Sequence, residues 1–163
     1  MTKRPHSVSN GRARHTRRSA LLLVGRLFAV GVLAGRRTAH AEPTPDFRVI
    51  VHPDNPSTTL TRDFLIDAFL KRTTRWNDGE MIRPVDQRPD SLARRRFSDS
   101  VLQRSVAAVK SYWQQRIFSG RELPPPELDS DEAVVAYVMK HRGAVGYVSG
   151  SAKLDRAKPV QIQ

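Results

Sequence analysis

The pattern of apolar and polar residues in the C-terminal three quarters of the chain predicts strands separated by helices. Phe47–His52 alternates as a first strand, and a last strand is expected at Pro159–Gln163. Ala144–Val148 is rich in valine and too short for a helix of its own, so a strand is expected there too. Met81–Val85 predicts one more strand, which should lie near a sheet edge because Pro84 has no N–H group to donate.

Helical spacing predicts four helices between these strands. The first covers Arg62–Leu70, with Thr61 as its cap and an apolar face made by Phe64, Leu65, Ala68 and Phe69. The others are expected from Asp90 or Ser91 to about Gln103, from Ser105 through Phe118, and from a capping box of Asp129 and Glu132 to Gly143.

The junction at Gly143 marks a change from helix to strand. Lys140, His141 and Arg142 suit a last helical turn, because cations stabilise the negative end of the helix dipole. Gly143 is then expected to end the helix in the left-handed conformation. Gly146, inside the strand that follows, indicates that another part of the chain packs closely against the backbone.

The first 41 residues have the features of an export signal. Residues 1–18 carry six basic residues and no acid, residues 19–35 are mostly apolar around Arg26, and Ala39–Ala41 has the small-x-small form of a cleavage site. A membrane anchor is the alternative, but Arg26 interrupts an apolar stretch that is shorter than the ~20 residues of a spanning helix.

This signal sets the domain organisation that we expect. Residues 1–41 form the export signal peptide, 42–46 a short tether, and 47–163 a single domain in the periplasm or outside the cell. Thr16–Leu21 resembles a twin-arginine motif, with Ala20 in place of the usual bulky residue, so the Sec and twin-arginine routes both stay open.

The charge of the chain argues against a nucleic-acid partner once the signal is set aside. The sequence has 28 basic and 16 acidic residues, and nine of the basic residues but no acidic ones lie in 1–41. The remainder has 19 basic and 16 acidic residues, a net charge of +3, so the high pI belongs mostly to the signal. The chain has no cysteine, which removes disulfides, thiol nucleophiles and thiolate metal sites.

No catalytic or metal-binding constellation is visible, so neither an enzyme nor a cofactor is expected. Gly146–Gly150 resembles a nucleophile elbow, but its serine is at the wrong distance from the first glycine. Asp86 and Asp90 could pair as carboxylates, yet nothing in the sequence places a substrate between them. His52 and His141 are too few for a metal site.

Two segments resemble the phosphate-binding proteins of phosphate ABC transporters. Ala68–Gly79, AFLKRTTRWNDG, is similar to one family motif, and Arg142–Val148, RGAVGYV, is similar to another in the same order. The resemblance covers roughly Phe47 to Ser151. It implies an α/β fold, a single periplasmic-binding-protein-like lobe of type II with a mixed sheet flanked by helices. Largely buried side chains are expected where the two motifs meet, at Phe64, Phe69, Val145 and Tyr147.

The resemblance also implies a place for a ligand. Phosphate in that family is held between two lobes by an arginine and by a Ser-Gly-Thr turn at a helix N-terminus. Val85–Leu92 matches this region, which makes Arg88, Asp90 and Ser91 the candidate ligand-binding residues. Leu92 follows where glycine is expected, and the carboxylate of Asp90 would repel phosphate. The alternative is that Asp90 and Ser91 only cap a helix.

The function implied is weak binding of phosphate or a similar small anion, linked to phosphate transport. Only the short tether separates the signal from Phe47, so the expectation is the second lobe alone. A protein-interaction module that has lost the ligand site is the alternative, with a protein partner or a homodimer possible in either case. No nucleic acid and no stable membrane span after processing are expected.

The consecutive arginines and the two tryptophans are interpreted as residues without a ligand-binding role. Arg94, Arg95 and Arg96 could form a phosphate or lipid patch, but consecutive helical residues point in different directions, so a solvated surface is favoured. Trp76 and Trp113 could stack on a ligand, but packing roles are favoured, because aromatic side chains at helix faces are usually buried.

Intact-mass analysis of the exported protein tests the signal. We expect a mature chain that begins at Glu42, because the basic start, the apolar stretch and the Ala-His-Ala end coincide. A product that retains residues 1–41 would indicate an anchor instead. Replacing Arg17 and Arg18 by lysine should abolish export only if the twin-arginine route is used.

Overall fold

The computed structural model describes residues 46–120 and 122–163. The export signal predicted for 1–41 and nearly all of the tether lie outside these residues. No helix within the described part of the chain is long and apolar enough to cross a membrane.

The described residues form short strands and helices in an alternating order. The strands are β1 (Phe47–Val51), β2 (Thr59–Leu60), β3 (Arg83–Pro84), β4 (Asp86–Gln87), β5 (Glu127–Leu128), β6 (Ala144–Ser149) and β7 (Lys158–Ile162). The helices are α1 (Arg62–Phe69), α2 (Leu92–Phe97), α3 (Val106–Phe118) and α4 (Asp131–Lys140), with a π-helical segment, Ser98–Leu102, directly after α2. The predicted elements are thus present, with ends shifted by a few residues.

Five of the strands build one mixed sheet in the order β2-β7-β1-β6-β3. The central strand β1 is antiparallel to both neighbours, with Val49 opposite Tyr147 of β6 and Val160 of β7. The outer pairs β2–β7 and β3–β6 are parallel. The edge position predicted for the strand around Pro84 is confirmed. Strands β4 and β5 form a separate parallel pair.

Helices cover both faces of the sheet, so both faces of β6 are buried. Val145 and Tyr147 face one apolar cluster, which also contains Phe69, Phe97 and Trp113. Ala144 and Val148 face a second cluster, with Val134 and Val138 of α4. The aromatic rings of Phe97 and Tyr147 stack at 4.0 Å. The predicted α/β lobe with a mixed sheet flanked by helices is confirmed.

The burial predicted for the junction of the two motifs holds for three of four residues. Phe69, Val145 and Tyr147 are buried, whereas Phe64 is only partly buried and packs against Trp76 with ring centroids 5.2 Å apart.

Serine and threonine begin the longer helices. Thr61 accepts a hydrogen bond from the N–H of Phe64, and Ser105 accepts one from Ala108, as predicted. The predicted cap of α4 was wrong by one residue, since Ser130 rather than Asp129 caps the helix by accepting from the N–H of Ala133. Ser130 has the extended backbone that a cap needs.

Gly143 is required by close packing and not by a left-handed helix end, which corrects the prediction. Helix α4 ends at Lys140, and Gly143 is not among the described residues with positive φ. A Cβ atom on Gly143 would overlap the carbonyl oxygen of Met81. The close packing predicted at Gly146 is confirmed, because a Cβ there would lie 2.7 Å from Cγ1 of Val85.

Replacing Phe69 by alanine tests this core. The ring is buried and packs against both Phe97 and Tyr147, so Phe69→Ala should lower the free energy of unfolding by roughly 3–5 kcal/mol in urea denaturation. Phe118→Ala is the matched control, because Phe118 is 91% exposed, and its stability should barely change. Equal stability of the two variants would contradict the packing described here.

Candidate ligand-binding site

The three predicted site residues lie in one turn between β4 and α2. Ser91 begins α2 and accepts a hydrogen bond from the N–H of Arg94 at 3.3 Å. Asp90 does not cap the helix, which settles the choice between the two residues in favour of Ser91. Arg88 joins the turn to β5 through its N–H, which donates to the carbonyl oxygen of Leu128. The structure therefore brings Arg88, Asp90 and Ser91 together, and their role in binding stays a prediction.

The Arg88 side chain is already paired with a carboxylate. Its Nε and Nη2 donate to the two oxygens of Asp90 at 3.0 and 2.6 Å, a bidentate arrangement on the surface. The hydrogen bond from Arg88 lowers the pKa of Asp90, so this carboxylate stays ionised at neutral pH. An anion that approaches Arg88 must therefore displace Asp90.

Gln87 joins the turn to two other parts of the lobe. Its Oε1 accepts a hydrogen bond from the Ser91 hydroxyl at 2.5 Å. Its Nε2 donates to Oδ1 of Asp131 and to the main-chain oxygen of Tyr147, both at 2.9 Å. Asp131, at the start of α4, also accepts from the N–H and the hydroxyl of Ser149. A single buried amide thus fixes α2, α4 and the end of β6 relative to one another.

A buried ion pair lies beneath the turn. Asp86 and Arg94 are each 3% exposed and form a salt bridge, and the Tyr147 hydroxyl donates a hydrogen bond to Oδ1 of Asp86. The N–H of Gln87 donates to the same oxygen at 2.9 Å. Burial raises the pKa of Tyr147 far above its usual value, so its hydroxyl remains a donor to this carboxylate.

The sequence interpretation of Arg94 was therefore wrong, while that of its neighbours is confirmed. Arg95 and Arg96 are exposed, but Arg94 lies on the buried face of α2. The signal was present in the spacing, because Arg94 comes three residues before Phe97 and seven before Val101, both core residues. Gln87 and Asp131 were also missed, and no local pattern distinguishes them. The packing roles predicted for Trp76 and Trp113 are confirmed.

No metal site accompanies this network in the part of the chain that the structure describes. Groups of three or more histidine or acidic side chains positioned to hold a metal ion do not occur among residues 46–120 and 122–163.

The fold is that of one lobe of solved phosphate substrate-binding proteins. A putative phosphate ABC transporter substrate-binding protein from Clostridium perfringens, solved with bound phosphate, matches with a TM-score of 0.57 and 19% identity, over 72% of this chain and 44% of that chain. A possible phosphate binding protein from Planctomyces limnophilus matches at 0.52 with 15% identity, over 72% and 41%. An ABC-type phosphate transport receptor from Vibrio cholerae matches at 0.50 with 20% identity, over 72% and 46%.

These matches show a shared fold, and they cover only part of the chain of each solved structure. The chain spans less than half the length of the structures that it resembles. No protein-family model and no curated protein matches the sequence.

Removing the carboxylate of Asp86 tests the ion pair. Asp86→Asn leaves the Arg94 guanidinium buried without its counter-charge, so the free energy of unfolding should fall by about 3–5 kcal/mol in urea denaturation. Asp90→Asn, which removes the exposed carboxylate from the same segment, is the control and should change stability little. Adding Arg94→Met to Asp86→Asn should recover part of the loss, and no recovery would contradict a charge effect.

Proposed function

We propose that this chain is an exported, non-enzymatic binding lobe that holds a small inorganic anion weakly, with phosphate as the leading ligand. The observation that carries the proposal is the turn of Arg88, Asp90 and Ser91 at the start of α2. It stands in a fold shared with a substrate-binding protein solved with bound phosphate. The solved relatives are binding proteins, which supports binding rather than catalysis.

Three kinds of donor group in this turn would contact the anion. Arg88 supplies a planar pair of N–H donors, and Ser91 supplies a hydroxyl. The first N–H groups of α2, from Leu92 and Ala93, have no acceptor within their own helix. Donors of these three kinds suit the oxygens of a tetrahedral anion.

Two internal contacts compete with the anion, and they account for weak binding. The guanidinium of Arg88 already donates hydrogen bonds to the Asp90 carboxylate, and the hydroxyl of Ser91 already donates one to Gln87. One lobe also leaves half of the ligand in water, where salt screens each contact. We therefore expect a Kd of ~1 mM, which corresponds to a binding free energy of about −4 kcal/mol.

A protein-interaction module on the same scaffold is the second candidate. It is favoured by large apolar side chains that remain exposed around the end of α3, where Phe118 is 91% and Leu123 is 70% exposed. Ile117 and Leu123 line one surface depression there, and Met81 and Leu123 line a second. Exposed apolar patches of this kind often contact another protein.

Calorimetric titration of the mature chain with phosphate tests the first candidate. Asp90→Asn should tighten binding by about five-fold, because it removes the carboxylate that competes for Arg88. Arg88→Ala should abolish binding, and Ser91→Ala should weaken it while perturbing the cap of α2. Asp67→Asn is the matched control, since Asp67, on α1, forms a similarly exposed pair with Arg72.

The outcomes separate the candidates. Equal affinity of the wild-type and Asp90→Asn chains, or binding that survives Arg88→Ala, would remove this turn as the site. No heat at tens of millimolar phosphate would leave the interaction module as the proposed function. Affinity that rises with protein concentration would indicate that a second copy supplies the opposite wall of the site.

A further inference from the structure

A groove lies at the end of the sheet opposite to the Arg88–Ser91 turn. Residues from the segments 55–61 and 76–78 line it together with Phe64, and its volume is about 400 Å³. This volume is within the range of small-molecule sites. In the β1–β6 pair, Phe47 and Ser149 mark the end near the turn, and Val51 and Val145 mark the end near the groove.

Aromatic side chains form part of the wall of this groove. The rings of Phe64 and Trp76 pack against one another with centroids 5.2 Å apart. The indole Nε1 of Trp76 donates to the carbonyl oxygen of Gly143 at 3.0 Å, which fixes the ring and uses its single polar atom inside the protein. The surface that these rings offer to a ligand is therefore apolar, and it suits the C–H groups of another ring.

Asn55 brings an unused hydrogen-bond donor to the same groove. Its side chain lines the groove and is 5% exposed, and its Oδ1 accepts from the N–H of Ser57 at 2.9 Å. Its Nδ2 donates to none of the described residues, and it is not among the fully buried atoms that lack a partner there, so it stays accessible. A nearly buried donor of this kind favours a ligand that supplies an acceptor.

Asp78 gives the groove a negative charge. It is the one charged side chain among the lining residues that the structure describes. Its Oδ1 accepts from the N–H of Glu80 at 3.0 Å, and it forms no salt bridge with the described residues. A carboxylate only accepts hydrogen bonds, so this group favours a ligand with donors and repels an anion.

We propose that this groove binds a neutral pyranose sugar. Hydroxyl groups both donate and accept, so one sugar can accept from Asn55 and donate to Asp78, whereas an ammonium group can only donate. The C–H face of the sugar ring packs against Phe64 and Trp76. The proposal does not rest on the anion turn, so either site can fail while the other stands.

The probe is methyl β-D-glucopyranoside, titrated into the mature chain and followed by the indole N–H resonance of Trp76 in NMR spectra. Trp113 is the internal reference, because it does not line the groove. We expect saturable shifts of Trp76 alone with a Kd of ~5 mM. The corresponding glucuronide, the same ring with a carboxylate, should bind about five-fold more weakly because Asp78 repels it. Choline, a cation without a sugar ring, should bind more weakly than the glucoside.

Variants locate the site on the folded chain. Asp78→Asn keeps an oxygen for the N–H of Glu80 but removes the charge, so the difference between glucoside and glucuronide should disappear. Thr59→Arg should place a long side chain in the groove and weaken glucoside binding at least about ten-fold. Thr58→Arg is the matched control, since Thr58 is exposed and outside the groove, and it should bind as the wild type does.

Each result decides the proposal. Saturable shifts of Trp76 that are lost in Thr59→Arg and kept in Thr58→Arg support it. It is overturned if the glucoside does not approach saturation by about 100 mM, a concentration far above the expected Kd. Tighter binding of choline than of the glucoside overturns it in favour of a cation site. A preference for the glucoside over the glucuronide that survives Asp78→Asn also overturns it.

Discussion

The buried ion pair of Asp86 and Arg94 is the interaction on which the Arg88–Ser91 end of this lobe depends. The carboxylate accepts hydrogen bonds from Tyr147 on β6 and from the main chain of Gln87, while the guanidinium comes from α2. A buried charge is tolerated only when it is paired and hydrogen-bonded, so these groups constrain one another's positions. The turn of Arg88 to Ser91 is therefore held over a rigid base and not on a flexible loop.

In this arrangement the polar groups of the turn already form hydrogen bonds with one another or with Gln87, without a ligand. Asp90 satisfies Arg88 on the surface, and Gln87 satisfies Ser91 below it. In a site that binds tightly, donors of this kind would be held open for the ligand. Under the proposed function, anion binding at this turn exchanges internal hydrogen bonds for new ones, which limits the gain in free energy. That exchange favours ligands that satisfy both donors at once.

Local signals in the sequence were sufficient for most of the fold. The caps at Thr61 and Ser105 and the buried face of α1 depend on neighbouring residues, and they were predicted correctly. Arg94 was not, because its spacing to Phe97 and Val101 places it on the buried face, but an arginine is buried there only when a counter-charge such as Asp86 lies beside it. The role of Gly143 likewise depends on Met81, which is remote in sequence. Apart from the cap of α4, which was wrong by one residue, the predictions that failed concern features fixed by contacts between segments.

The central position of β1 has a consequence for how the domain is made. Its neighbours on both sides, β6 and β7, lie roughly 100 residues further along the chain. A ribosome that has just synthesised β1 has produced neither strand that will bond to its N–H and C=O groups. Contacts this distant in sequence slow folding, because a long loop must close before they form. The sheet therefore gains its middle strand only after both later strands have been made, and until then β1 is an unpaired apolar segment that is prone to aggregate.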